Sequence, residues 1–301
     1  MDERDWLAEQ FEQNRGHLRA VAYRMLGSLS EAEDAVQECW LRTMRPDMET
    51  VANLRAWLTT VVARVCLDML RSRKSRREEP LEVPGAEPAP VAALTPDPES
   101  EALLADSVGF AMLVVLDRLS PAERVAFVLH DLFDVPFDDI ARIAGRTPEA
   151  TRQLASRARR RVRGASELAP TELAEHRSLV DRLLAALRQG DAAAVVAVLA
   201  PDFALHADAV AAVALAGVPP DIHGAEAWAR VAVKSARGAQ FARPALVEGE
   251  VGVVIAPRGR LFRVLRLTFR EGRIAHMEFI GDPQRLSVLD LGVLDLGAVS
   301  D

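Results

Sequence analysis

Apolar residues recur at helical spacing through most of the first 163 positions. Phe11, Leu18, Val21, Ala22, Met25 and Leu26 form one stripe, and Gly27 interrupts it. Ser30, with Glu33 three residues on, predicts a capping box that opens a second helix. Ala32, Ala35, Val36, Cys39 and Trp40 form its buried side, and Asp34, Gln37 and Glu38 lie away from it. After a loop that begins Arg45-Pro46 and ends at Asn53, a third helix carries Leu54, Trp57, Leu58, Val61, Val62, Val65 and Met69. Its exposed side holds Arg55, Arg64, Asp68 and Arg71.

Residues 78–98 break this pattern. Six of these 21 residues are proline, so the segment reads as a stiff linker with a reach of up to about 70 Å. Helical patterning returns from Glu99 through Leu103, Leu104, Val108, Met112, Val115, Leu116 and Leu119. Ser120-Pro121-Ala122-Glu123 then opens a helix that runs to about Leu132.

Two short helices follow with a tight turn between them. The first begins near Pro136, buries Phe137, Ile140, Ala141 and Ala144, and ends at Gly145, a residue that tolerates the left-handed C-cap conformation. Thr147 caps the second, with Pro148 and Glu149 in its first turn. At about 100° per residue, Glu149, Arg152, Gln153, Ser156, Arg160 and Arg163 share one face. Ala150, Thr151, Leu154, Ala155, Ala158 and Val162 lie opposite, and Arg161 is a misfit at the apolar edge. Six arginines against one acid in this helix, after a glycine turn, predict a helix-turn-helix that binds DNA. Arg and Gln side chains read base edges, and the other arginines neutralise phosphates.

The last 130 residues alternate differently. Thr171–Gln189 is an amphipathic helix ended by Gly190, and Asp191 caps an Ala/Val-rich helix closed by Pro201. A strand is expected over 203–208 and a helix over 225–236. Three strand-like runs follow, 245–255, 261–269 and 273–280, joined by Pro257-Arg-Gly-Arg260 and Glu271-Gly272. Helices followed by a strand meander predict an α+β domain with a curved sheet.

Composition narrows the class. Half of the 301 residues are hydrophobic, 27% are charged, and the net charge is −7. An acidic body with basic charge concentrated at Arg71, Arg73, Lys74, Arg76, Arg77 and the second turn-joined helix suits a local DNA contact plus a protein partner. Cys39 and Cys66 lack metal spacing and read as core thiols. The charged start Met-Asp-Glu-Arg-Asp-Trp and the lack of any apolar run near ~18 residues predict no signal segment and no membrane span, so a cytoplasmic location is expected.

Residues 5–163 resemble an extracytoplasmic-function sigma factor of bacterial RNA polymerase. Glu31-Ala-Glu-Asp-Ala-Val-Gln-Glu-Cys-Trp-Leu-Arg42 resembles the family's polymerase-binding helix, and Leu54–Arg71 its promoter-melting segment. Ser120–Arg163 resembles its second promoter-binding domain. The resemblance implies that Asp34, Gln37 and Glu38 meet the polymerase clamp helices. It implies that the loop 46–53, Asn53 included, holds a base flipped out of the minus-ten element, flanked by Arg64, Asp68 and Arg71. Arg152, Gln153, Ser156, Arg157 and Arg160 would read the minus-thirty-five element in the major groove.

Beyond Arg163 the chain is similar to the SnoaL-like, cone-shaped α+β fold fused to one branch of these factors. Leu187-Arg-Gln-Gly-Asp-Ala, Leu199-Ala-Pro-Asp and Ile222-His-Gly-Ala carry the likeness. The branch's Asp-Gly-Gly-Gly-Lys motif is replaced by Asp208-Ala-Val-Ala-Ala212, and its Asn-Pro-Asp-Lys-Leu by Asp282-Pro-Gln-Arg-Leu286. The implied organisation is multidomain: an all-α sigma region 2 domain (1–77), the linker (78–98), an all-α region 4 domain with the helix-turn-helix (99–166), the SnoaL-like domain (171–286) and an apolar tail (287–301).

The expected function is a sigma factor that binds core RNA polymerase and a two-element promoter, with the last domain regulating it in cis through contacts to the sigma domains. The alternative is a one-component DNA-binding regulator with a ligand-sensing last domain, and residues 31–71 discriminate, because a simple repressor has no need of the promoter-melting pattern. Alternate residues of a strand share a face, so His206, Asp208, His276 and Glu278 are candidates for a regulatory pocket that takes a small molecule. Without a nucleophile elbow, metal spacing or cofactor loop they read as a rim or sensor rather than a catalytic set, and no catalysis, cofactor or metal is expected. The repeated tail Val288-Leu-Asp-Leu-Gly292, Val293-Leu-Asp-Leu-Gly297 is expected to dock near the linker or the first two domains.

Overall fold

A computed structural model describes residues 3–44, 53–78, 110–214, 219–234 and 236–294. The proline-rich linker, most of the loop 46–53 and the end of the tail lie outside the described residues.

Among the described residues three helices make the first unit: α1 (Glu3–Leu26), α2 (Leu29–Thr43) and α3 (Leu54–Glu78). Gly27 takes φ 73° and ends α1, as its place in the pattern predicts. The cap of α2 is Ser28 rather than Ser30: its hydroxyl accepts from the Glu31 N–H at 3.5 Å. Leu29 and Ser30 are therefore already helical, and the local Ser/Glu spacing fits either start. Cys39 and Cys66 are buried free thiols, and burial pushes Cys39 up to about 11 and Cys66 higher still.

The second unit holds α4 (Phe110–Asp117), α5 (Pro121–Phe127), a π turn (Val128–Leu132), α6 (Phe137–Ala144) and α7 (Pro148–Arg163). Ser120 and Glu123 form a reciprocal capping box at the start of α5. Gly145 is left-handed at φ 66°, and the Thr147 hydroxyl caps α7 by accepting from Ala150 N–H at 3.2 Å. Arg161, the misfit of the helical wheel, reaches back 2.8 Å to the buried carboxylate of Glu123, so it ties α7 to that capping box.

Among the described residues the third unit is a seven-stranded sheet of order β2-β1-β6-β5-β4-β3-β7. Two helices, α8 (Pro170–Gln189) and α9 (Ala192–Val198), lead into β1 (Leu199–Ala207). Pro201 does not end the helix but lies inside this strand. Proline donates no ladder bond, and the pairing of β1 with β6 shifts register between Leu199 and Ala204, around it. After β1 come α10 (Ala209–Ala214), β2 (Asp221–His223) and α11 (Ala225–Lys234). The run expected as one strand over 245–255 is a hairpin, β3 (Ala242–Val247) and β4 (Glu250–Ile255). Glu248 and Gly249 turn it with φ of 53° and 83°, a primed turn built without the usual Asn or Asp signal. The sheet continues with β5 (Arg263–Arg270) and β6 (Arg273–Ile280), then α12 (Pro283–Val288) and β7 (Leu291–Gly292). Leu205, Ala207, Leu265, Leu267, Met277 and Phe279 point to the interior face, covered by α8, α9 and α11.

One apolar core runs through all three units. It joins Leu18, Met25, Leu58 and Leu67 of the first to Leu113, Phe127 and Ile140 of the second. Ala245, Val247, Val254, Val264 and Ile280, from the outer face of the sheet, belong to the same cluster. At its centre Arg124, 1% exposed, donates to the Arg24 carbonyl at 3.3 and 3.4 Å and meets Asp117 at 3.4 Å. Arg73 donates to the Leu26 carbonyl at 3.3 Å and pairs with Glu31. Two arginines from other helices thus satisfy the carbonyls that the end of α1 leaves open. A Cβ on Gly259 would stand 3.2 Å from the Gly27 carbonyl oxygen and 3.3 Å from Leu113, so all three units meet at that point.

The described part of the tail docks on the second unit. Gly292 pairs with Leu246 of β3, and Val293 N–H donates to the Val162 carbonyl at the end of α7 at 2.8 Å. Arg118 holds the Leu289 carbonyl and, at 2.5 Å, that of Leu286.

Candidate nucleic-acid interface

The helix-turn-helix presents its polar face outward. Arg152, Gln153, Ser156, Arg157 and Arg160 are all exposed, while Thr151, Ala155, Ala158 and Val162 are buried. The Arg152 guanidinium lies 5.6 Å from the Phe137 ring centroid, which positions it over the start of α6. Arg159 pairs with Asp131 and Arg161 with Glu123, so these two serve the fold and leave the other arginines to face solvent.

In the first unit, Arg64, Asp68 and Arg71 share the outward side of α3, and Asp34 and Gln37 that of α2. Glu38 is half-exposed and pairs with Arg42 at 2.8 Å. Arg42 also stands 3.9 Å from Asp68, which is 4.0 Å from Arg71. This chain of alternating charges links the residues expected to meet polymerase with those expected to meet DNA. Sequence reasoning gave Arg42 no role, although its i, i+4 spacing from Glu38 was visible. Asn53 is exposed and its side-chain oxygen accepts from Ala56 N–H at 3.1 Å, so it caps α3. Gln37 lines a small cleft with Phe11, Val36 and Trp40 between α1 and α2.

The four residues of the expected regulatory pocket are not all brought together. The register places His206 beside Glu278, and Ala204 beside His276, on the outer face of the sheet. His206 bonds Asp221 at 2.7 Å. Burial pushes the Glu278 carboxyl up, but the Arg285 hydrogen bond at 2.5 Å and the charge of Arg266 hold it below the usual range. Asp208 is used elsewhere: it accepts from Ala211, Gly281 and Asp282 N–H at 2.8, 2.9 and 3.0 Å and caps α10. Those bonds outweigh the upward push of burial and lower its pKa. A groove of about 590 Å³ in this unit lies instead between α8 and the β5–β6 hairpin, lined by His176, Phe269 and Glu250 among others, and none of the four reaches it. Among the described residues no helix is long and apolar enough to cross a membrane, and no group of three or more His, Cys, Asp or Glu is placed to hold a metal ion.

Comparison with known proteins follows the same division. Residues 10–76 match the family description "Sigma-70 region 2", and residues 110–162 match "Sigma-70, region 4". The chain is 38% identical over 305 residues to the ECF RNA polymerase sigma factor SigJ of Mycobacterium tuberculosis, covering 92% of each chain. It is 33% identical over 292 residues to the probable ECF RNA polymerase sigma factor SigI of the same organism, covering 96% of this chain and 98% of that one. The crystal structure of M. tuberculosis SigJ aligns with 93% of this chain and 98% of that chain, at 33% identity and a TM-score of 0.44.

Proposed function

The chain belongs to the extracytoplasmic-function sigma factors of RNA polymerase, and on that premise we propose that its C-terminal unit restrains promoter opening by holding the two sigma units together. As a sigma factor it binds core RNA polymerase and promoter DNA and initiates transcription, and the one-component regulator reading falls away. Asp34, Gln37 and Glu38 serve the polymerase contact, Asn53, Arg64, Asp68 and Arg71 the melted minus-ten strand, and Arg152, Gln153, Ser156, Arg157 and Arg160 the minus-thirty-five element. The protein works in the cytoplasm beside the polymerase, and its C-terminal unit carries out no bond-making chemistry.

The single observation that carries the regulatory reading is the shared core. The promoter elements named by their positions lie about 25 base pairs apart, about 85 Å along B-DNA at ~3.4 Å per step. Units whose apolar side chains interleave are too close to span that distance, so the contacts joining them must open. Residues of the sheet sit in the same cluster, and Arg118 fastens the tail to the second unit. The exposed recognition face argues against simple masking, so the restraint acts on spacing.

Run-off transcription with purified core polymerase tests this. Full-length protein should give promoter-specific transcripts, and Arg118→Ala or a chain of residues 1–168 should raise their yield at least about twofold, since RT ln 2 is only ~0.4 kcal/mol of released restraint. Lower yield from both variants would reverse the sign of the regulation.

A further inference from the structure

The interior face of the sheet is apolar row by row until its lip, where β5 begins and β1 and β6 end. Leu265 stands beside Phe279, and Phe279 beside Ala207. One row further out on the same face is Arg263, only 8% exposed. Its guanidinium carbon lies 4.0 Å from the Phe262 ring centroid and 5.7 Å from that of Phe279. Its Nε is buried without a hydrogen-bond partner, and among the described residues no hydrogen bond or ion pair reaches the guanidinium.

Asp208 is the acid whose charge acts on Arg263, but that carboxylate already accepts three backbone N–H groups and faces Arg285 at 3.6 Å. Turning it toward Arg263 would uncap α10. Burial lowers the Arg263 pKa to about 10, which leaves it cationic at neutral pH. A largely buried cation that meets rings and a carboxylate already engaged with backbone amides is destabilising relative to an apolar side chain of the same size, because these neighbours replace only part of its hydration. The fold gains nothing from this charge that methionine would not supply, so its use lies in binding.

We propose that Arg263 anchors a site at the lip of the sheet for a small carboxylate with a flat apolar body. The planar fork of the guanidinium matches a carboxylate and takes it through two parallel hydrogen bonds. Phe262 and Phe279 hold the apolar body. A phosphate, with more charge and more oxygens to satisfy, would be stranded between these rings. The site is separate from the His206 and Glu278 rim, which lies on the other face.

Isothermal titration of the full chain tests this directly, without transcription as a readout. The probe is phenylacetate, with uncharged phenylacetamide as control. Wild type should bind phenylacetate at least tenfold more tightly than phenylacetamide. Arg263→Lys should weaken phenylacetate at least threefold while keeping the preference, and Arg263→Met should abolish the preference. With no ligand added, Arg263→Met should melt at or above wild type, because an unanswered buried charge is gone. Failure of wild type to bind phenylacetate at millimolar concentration overturns the proposal, as does binding unchanged in Arg263→Met. A marked fall in the melting temperature of Arg263→Met would assign the residue to the fold instead.

Discussion

Arg124 in the helical half and Arg263 in the sheet unit are both buried, at 1% and 8% exposure, and their surroundings differ. Arg124 meets a helix-end carbonyl and Asp117, and every contact comes from a different helix. Arg263 meets two rings. A buried charge whose donors are answered joins elements together. One whose donors are open is a cost to the fold, retained for what it can hold. The same residue type thus marks a structural joint in one region and a candidate binding group in the other.

The comparison can be tested by size of effect on stability. Arg124→Met should be the most damaging change, by about 3 kcal/mol, because it strands the carbonyl at the end of α1 in a closed interior and breaks the tie to Asp117 at the surface of the second unit; urea unfolding measures it, and a neutral outcome would erase the contrast with Arg263. Gly292→Ala comes next. Its Cβ would stand 2.7 Å from Gly164 Cα and 2.8 Å from the Arg163 carbonyl oxygen, all backbone, so a loss of about 2 kcal/mol and faster proteolysis of the tail are expected.

Asp208→Ala should cost about 1 kcal/mol as a lost helix cap, and the loss should depend on pH. The folded-state pKa of Asp208 is depressed, so its contribution is present above the ordinary carboxylate value and disappears as pH falls below about 4. Melting curves of wild type and variant should therefore converge in acid; a gap that stays constant down to pH 3 would remove the carboxylate from the account. Smallest for stability is Arg152→Ala, within about 0.5 kcal/mol of wild type, since the side chain is exposed. Its effect belongs to DNA: promoter binding by the holoenzyme should weaken by about 1–3 kcal/mol if it contacts a base edge.

The helix-turn-helix could be read almost completely from the chain. Gly145, Thr147 and the phase of Arg152, Gln153, Ser156 and Arg160 act within a few residues of each other, so backbone geometry alone places them. The α+β character of the last unit was equally visible. The hairpin at Glu248-Gly249 was not, because glutamate at positive φ carries no local signal and the flanking valines read as one strand. Pro201 misled in the same way: as a helix breaker it marks an end, yet the strand absorbs it where the register already slips. The candidate pocket divided because period-two alternation assigns a face but not a partner. Asp208 found its partners in the Gly281 and Asp282 amides, 73 and 74 residues away.

Local order therefore came from the residue string: where helices begin and stop, which face is apolar, and which face carries guanidinium groups. Contact between distant segments came only with the folded chain. Arg124 reaches a carbonyl 100 positions earlier, and Arg118 reaches carbonyls 168 and 171 positions later. No periodicity encodes such meetings, because hydrogen bonds and packing across units depend on how whole faces come to rest against one another, and many distributions of polar residues satisfy the same local pattern.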